Sequence, residues 1–121
     1  MQQAKSLRSF IGAKDFEQSR AFYRTLGFEE TPVGEKLSLF KVNEESMFHL
    51  QDYYVKEWVE NSMLFLEVED VEALAAAWKS KNLEGQFPGA RLSEVKEEAW
   101  GKVFYLHDPA GILWHVAAFI G

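Results

Sequence analysis

The fold of this chain is decided by residues 10–28, which read FIGAKDFEQSRAFYRTLGF. A strand-like apolar run ends at Asp15, and apolar positions then recur at helical spacing as far as Leu26. Asp15 is placed to cap this helix, because its carboxylate can accept hydrogen bonds from the first free backbone N–H groups. Gly27 is placed to end it, since glycine takes the left-handed conformation at low cost.

A second copy of this pattern begins 55 residues further along the chain. Residues 62–70 read SMLFLEVED, another strand-like run that ends in an Asp, and the offset places Phe65 on Phe10. A helical pattern follows here too. A repeat of this kind indicates two similar modules in one chain. We place module one at about residues 5–52 and module two at about residues 62–121.

Three strand-like segments follow each predicted helix. They are residues 28–32, 37–42 and 47–51 in module one, and residues 90–95, 102–107 and 113–119 in module two. Each module is therefore predicted to be βαβββ, and the apolar segment 52–61 between them is expected to pack. A module of this length would bury too little surface by itself. We expect the two to pair into one α+β domain, residues 1–121, with a cupped mixed sheet, helices outside and a cavity inside.

Composition excludes several kinds of function. The chain has 121 residues, a net charge of −6 and no cysteine. An acidic chain without a basic run is a poor binder of nucleic acid phosphates, and the lack of cysteine excludes disulfides, thiolate metal sites and a Cys nucleophile. There is no signal peptide pattern and no apolar run long enough to cross a bilayer. We expect a cytoplasmic protein that binds neither nucleic acid nor membrane.

Two motifs at opposite ends of the chain, with the repeat between them, resemble those of the vicinal oxygen chelate superfamily, which includes glyoxalases, bleomycin resistance proteins and extradiol dioxygenases. The first motif is residues 10–28. The second is FYLHDPAGILWH at residues 104–115, which is similar to the DPxG hairpin before the last strand of such domains. LQDYY at residues 50–54 and the pair Trp100-Gly101 make the likeness closest to small bleomycin-resistance-like members. The resemblance implies paired βαβββ modules, a binding site in the cupped sheet and a homodimer.

The resemblance also implies one divalent metal in enzymatic members, held from four strand positions. On this chain those positions carry Arg8, His49, Met63 and His115. Arginine has no lone pair to donate, and a thioether suits soft metals such as Cu(I). We therefore expect no metal or other cofactor. If a divalent metal does bind, His49 and His115 would hold it, with Gln51 or a glutamate.

Each polar candidate has two interpretations. His49 and His115 are either ordinary strand residues or two groups that titrate near neutral pH and suit acid–base chemistry. Arg8 is either an ordinary charged residue on an edge strand or a residue whose guanidinium group binds a ligand carboxylate or phosphate. Met63 is expected to be an apolar part of the cavity wall, and His107 is expected to be structural.

The aromatic residues of the strands are expected in the core. They are Phe10, Phe40, Phe48, Phe65, Phe104 and Trp114. Trp100 lies in a loop-like segment and is expected at the mouth of the cavity. The glycine that follows it, Gly101, would permit a close approach of the backbone.

Three functions remain open, so the sequence leaves undecided whether the protein is an enzyme. The first is metal-free binding of a small molecule, as in the bleomycin resistance proteins. Its binding residues would be Arg8, His49, Gln51, Met63, Trp100 and His115. The second is a divergent lyase or isomerase of the same superfamily, with His49 and His115 as catalytic residues, acting through a nonstandard metal site or with Arg8. The third is a dimeric accessory protein without a ligand.

Overall fold

A computed structural model describes residues 3–120 of the chain. The strands are β1 (Ser9–Gly12), β2 (Glu29–Gly34), β3 (Leu37–Lys41), β4 (Met47–Gln51), β5 (Met63–Glu67), β6 (Arg91–Leu92), β7 (Lys96–Glu98), β8 (Gly101–His107) and β9 (Leu113–Phe119). The helices are α1 (Phe16–Thr25), α2 (Lys56–Val59), α3 (Val71–Lys79) and α4 (Leu83–Gln86). The predicted α+β class is confirmed. The outermost residues of the expected domain, 1–2 and 121, lie outside the described residues.

The strands form two mixed sheets, one from each module. Sheet A has the order β1-β4-β3-β2, and sheet B has the order β5-β9-β8-β6, with β7 also paired to β8. In each sheet the first strand of the module runs parallel to the last, while the other pairs are antiparallel. The repeat extends to the register, because Phe10 pairs with His49 in sheet A as Phe65 pairs with His115 in sheet B. The two predicted modules are therefore confirmed.

Module two departs from the predicted βαβββ pattern between α3 and β8, where the short helix α4 and the short strands β6 and β7 lie. The segment predicted as a strand over residues 90–95 forms only the two-residue β6, and β7 begins at Lys96. Between them, Ser93 bonds to Tyr105 of β8 twice, through its own N–H and through a hydroxyl that accepts from the Tyr105 N–H. A side-chain acceptor thus replaces one backbone partner, which interrupts the ladder.

The predicted ends of α1 are confirmed. The Asp15 carboxylate accepts a hydrogen bond from the Gln18 N–H at 3.1 Å, and Asp70 does the same for Ala73 at the start of α3. At the other end of α1, Gly27 has a φ of 99°. The N–H groups of Gly27 and Phe28 bond back to the carbonyls of Arg24 and Tyr23, which is the Schellman arrangement.

The core lies between the modules and is shared by them. Sheet A buries Phe40, Phe48 and Leu50 in it, and sheet B buries Phe104, Leu106 and Trp114. The rings of Phe48 and Trp114, from different modules, lie 5.4 Å apart. The connecting segment 52–61 packs as expected, because it forms α2 and buries Val59 completely.

Three buried polar side chains join α1 to the hairpin between β8 and β9, and we call them the Tyr23–Asp108–Trp114 triad. The Tyr23 hydroxyl donates to Asp108 Oδ2 at 2.6 Å and accepts from Trp114 Nε1 at 3.0 Å. Asp108 Oδ1 accepts from the backbone N–H groups of residues 110–112, each at 2.9 Å. Burial raises the pKa of Asp108 to about 6, although these hydrogen bonds act to lower it.

None of the four helices between residues 3 and 120 is long and apolar enough to cross a membrane.

We predict that Tyr23→Phe destabilises the protein by about 2–4 kcal/mol, because the change leaves a buried carboxylate oxygen and an indole N–H without partners. Urea unfolding would measure the loss. The matched control is Tyr105→Phe, because the half-buried Tyr105 hydroxyl has no hydrogen bond within residues 3–120. The control should change the free energy of unfolding by less than about 0.5 kcal/mol. Equal losses in the two variants would contradict the role of the triad.

From the raised pKa of Asp108 we also predict that the stability of the protein depends on pH. Its pKa is about 6 in the folded protein against an ordinary value of 3.8, so the folded state holds the proton more tightly than the unfolded state. The free energy of unfolding should therefore fall by about 3 kcal/mol as the pH rises from about 4 to about 6. Asp108→Asn lacks this contribution, so the stability of the wild type relative to the variant should fall over that range. A difference that stays constant from pH 4 to pH 7 would contradict the prediction.

Candidate functional site

The candidate residues lie on the sheet faces that point away from the shared core. Side chains alternate along a strand, so the burial of Phe48 and Leu50 in β4 leaves His49 and Gln51 on the opposite face of sheet A. In β9 the burial of Trp114 likewise leaves His115 on the opposite face of sheet B. We call these two surfaces the open faces.

On the open face of sheet A, His49 stacks on Phe10, with the ring centroids 4.6 Å apart. Arg8 is exposed just before β1, and Gln51 lies between Gly12 and Leu37 in the register. Burial and the positive charge of Arg8 lower the pKa of His49. Its Nδ1 is buried and has no hydrogen-bond partner among the described residues. The neutral ring is thus the favoured form of His49.

On the open face of sheet B, five rings form a continuous row that we call the aromatic strip. Its members, in order, are Tyr105, His115, Phe65, Phe119 and Trp100. Successive ring centroids lie 5.2, 6.2, 5.8 and 5.3 Å apart. Met63 lies beside the strip, with its Sδ 3.5 Å from His115 Nε2. The successive rings of His115, Phe65 and Phe119 are inclined to each other by 22°, so a planar molecule can stack on this part of the strip. The rings at the two ends, Tyr105 and Trp100, are inclined to their neighbours by 77° and 49°.

Trp100 reaches the strip because of the glycine that follows it. A Cβ on Gly101 would collide with the carbonyl oxygen of Ala118 in β9, so the predicted close approach of the backbone is confirmed. Ile120 donates its N–H to the Trp100 carbonyl at 2.9 Å, which ties the start of β8 to the end of β9. This contact holds the Trp100 ring next to Phe119, with 40% of the tryptophan exposed.

Two of the aromatic residues that we expected in the core lie elsewhere. Phe10 and Phe65 are 49% and 54% exposed, so this expectation is wrong for them. Both are paired with a histidine on an open face. The other four, Phe40, Phe48, Phe104 and Trp114, are buried as expected. Strand alternation shows which residues share a face, but it does not show which face a helix covers.

Two members of the strip, Tyr105 and Phe119, were not among the predicted site residues. The alternation of Leu113, His115, Ala117 and Phe119 along β9 was the available signal for Phe119. Tyr105 could be found only from the pairing of β8 with β9, which sets it opposite His115.

The structure divides the six predicted binding residues into two groups. Arg8, His49 and Gln51 belong to the sheet A side, while Met63, Trp100 and His115 belong to the sheet B side. The ring contacts of each histidine stay within its own sheet. A groove of about 430 Å³ between the sheets is lined by both, including Ser9 and Met47 of sheet A and Phe65 of sheet B.

The residues at the four family metal positions do not fit a divalent metal. Arg8 is a permanent cation without a lone pair, and Met63 Sδ is a weak ligand for hard or borderline metals. The two histidines that remain lie on different sheets. Residues 3–120 contain no group of three or more His, Cys, Asp or Glu side chains arranged to hold a metal ion.

The whole architecture matches that of several solved structures. The chain is similar to the bleomycin-binding protein of Streptomyces verticillus complexed with copper(II)-bleomycin, at 22% identity and a TM-score of 0.81, over 99% of this chain and 100% of that one. It is also similar to a glyoxalase/bleomycin resistance protein of Catenulispora acidiphila, at 20% identity and a TM-score of 0.77, over 97% and 100% of the two chains. A lactoylglutathione lyase of Agrobacterium tumefaciens matches at 20% identity and a TM-score of 0.70, over 97% and 96%.

This chain has the fold of the bleomycin-binding and glyoxalase-domain proteins. The fold expected from the vicinal oxygen chelate resemblance is thus confirmed. The sequence itself matches no protein-family model and has no significant match among curated proteins. The sequence identities are near 20%, so the likeness to the vicinal oxygen chelate proteins establishes the fold. The function has to be argued from the residues on the open faces.

Proposed function

We propose that this protein binds a small planar or amphipathic molecule on its open faces, without a metal ion. The observation that carries the proposal is the aromatic strip. Phe65 and Phe119 are each 54% exposed, and Met63 beside them is 63% exposed. A continuous apolar surface of this kind on a small protein marks a site for a ligand or for another chain.

The chemistry of the strip suits stacking more than it suits catalysis. Flat rings at 5–6 Å spacing contribute affinity through burial and offset stacking. On sheet A, Arg8 beside His49 could orient a polar group of the ligand. Binding of a small molecule is also supported by the similar structures, two of which are bleomycin-binding proteins bound to bleomycin or its copper(II) complex. A lyase or isomerase that works through a metal has less support, because the donor set does not fit one.

Binding can be tested by titrating the protein with N-phenyl-1-naphthylamine, an uncharged planar dye, and with bleomycin. We expect saturable binding of the dye, which Phe65→Ser weakens about tenfold because the change removes the central ring of the strip. Treatment with EDTA should leave the affinity unchanged. Calorimetry or dye fluorescence gives the dissociation constants.

The matched control is Val33→Ser, because Val33 is 57% exposed but lies on β2, away from the strip. It should not alter the affinity. Saturable binding of neither compound would overturn the proposed function, and binding that EDTA abolishes would overturn its metal-free character.

The proposal includes a second copy of this chain as partner, since a dimer would cover the exposed rings of the open faces that the monomer leaves in contact with water. Light scattering during gel filtration should give about twice the chain mass of 13.9 kDa. A mass of one chain at micromolar concentration would contradict the dimer and leave ligand binding to be judged by the titration alone.

A further inference from the structure

A pocket of about 480 Å³ opens at the Tyr105 end of the aromatic strip. Tyr105 lines both the pocket and the strip, and Leu113 forms part of its apolar wall. Arg91 and His107 supply its polar groups. The pocket therefore continues the surface on which a planar ligand would stack, but its chemistry is different.

The charges around this pocket are unusual for an acidic protein. Arg91 of β6 lies directly opposite His107 of β8 in the register, so both side chains project from the same side of the sheet. No carboxylate within residues 3–120 lies within 4.0 Å of the Arg91 guanidinium. A second cation, Lys96, lies over the Tyr105 ring, with its Nζ 5.7 Å from the ring centroid.

Acidic side chains are sparse in the lining of this pocket. Glu84, on the exposed helix α4, is the one carboxylate among the described residues that line the pocket. The neighbouring Asp108 is turned into the core, where both of its oxygens already accept hydrogen bonds. In a chain of net charge −6, the lining of this pocket is not acidic: it carries one arginine and one glutamate, and the arginine forms no ion pair within residues 3–120.

We propose that this pocket holds the acidic group of an anionic aromatic ligand, with Arg91 as its counter-charge and the ring system stacked on the aromatic strip. The inference rests on the proposed function and narrows the ligand to planar carboxylates, sulfonates or phosphates. Guanidinium groups bind such anions through paired N–H donors. Burial, and the charge of Arg91, lower the pKa of His107, so its neutral ring can donate one further hydrogen bond to the anion.

Two dyes with the same ring system, one with and one without an acidic group, distinguish the contribution of that group to binding from the contribution of the rings. The first is 8-anilinonaphthalene-1-sulfonate, and the second is N-phenyl-1-naphthylamine, which lacks the sulfonate. Each dye is titrated into the full-length protein and its variants, with fluorescence as the readout. We expect Arg91→Gln to weaken binding of the sulfonate about three- to fivefold, as for one partly exposed ion pair, and to leave the uncharged dye unchanged.

Two further variants test the sign and the location of the effect. Glu84→Gln removes the opposing carboxylate and should strengthen binding of the sulfonate about twofold. Lys56→Gln removes an exposed positive charge from α2, which contributes no lining residue to the pocket, and should alter neither dye. These three substitutions are at exposed positions, so the fold should tolerate them.

The outcomes separate this inference from the proposed function. The anion pocket is overturned if Arg91→Gln leaves sulfonate binding unchanged, or if it weakens both dyes equally. It is also overturned if the wild type binds the uncharged dye but not the sulfonate, a result that leaves the proposed function standing. If neither dye binds the wild type saturably, the proposed function itself fails.

Discussion

The Tyr23 hydroxyl joins the two modules, and the arrangement of the open faces depends on that junction. It donates to Asp108 and accepts from Trp114 inside a core to which both sheets contribute. Each buried polar group in the triad has its hydrogen-bond partner in another element of the fold. Removal of any one of them leaves a buried donor or acceptor without a partner. The modules therefore meet through the helix-covered sides of their sheets, and this directs His49, His115 and the aromatic strip away from the core.

The same division determines which chemical groups the open faces present. At the positions where enzymatic members of the resembled superfamily hold a metal, this chain carries Arg8 and Met63 in addition to two histidines. Sheet B also carries a row of exposed rings and, next to it, a pocket with an arginine that has no carboxylate partner in the described part of the chain. Stacking with charge pairing is a sufficient basis for recognition by such a surface.

Much of the fold could be predicted because its signals are local. Asp15 and Gly27 mark the ends of α1 through their own side-chain and backbone preferences, and the repeat of that pattern at Asp70 predicts a second module. The strand predicted over residues 90–95 was less successful, because Ser93 interrupts it by bonding to Tyr105, which lies twelve residues away in the chain. The candidate histidines stand at positions that the family resemblance implies, whereas Tyr105 and Phe119 become visible only through the pairing of β8 with β9.

The sequence by itself determined the two βαβββ-like modules, the helix caps and the close backbone approach at Gly101, because each depends on residue type and spacing along the chain. Only the tertiary structure decided which face of each sheet is buried. The alternation of side chains along a strand gives two faces but does not show which of them is buried. The strand patterns would therefore allow either Phe10 or Phe48 to face the core, and the packing of α1 decides for Phe48. That decision places Phe10 and Phe65 outside and separates His49 from His115. The pairing of β6 with β8, which also joins distant parts of the chain, brings Arg91 next to His107.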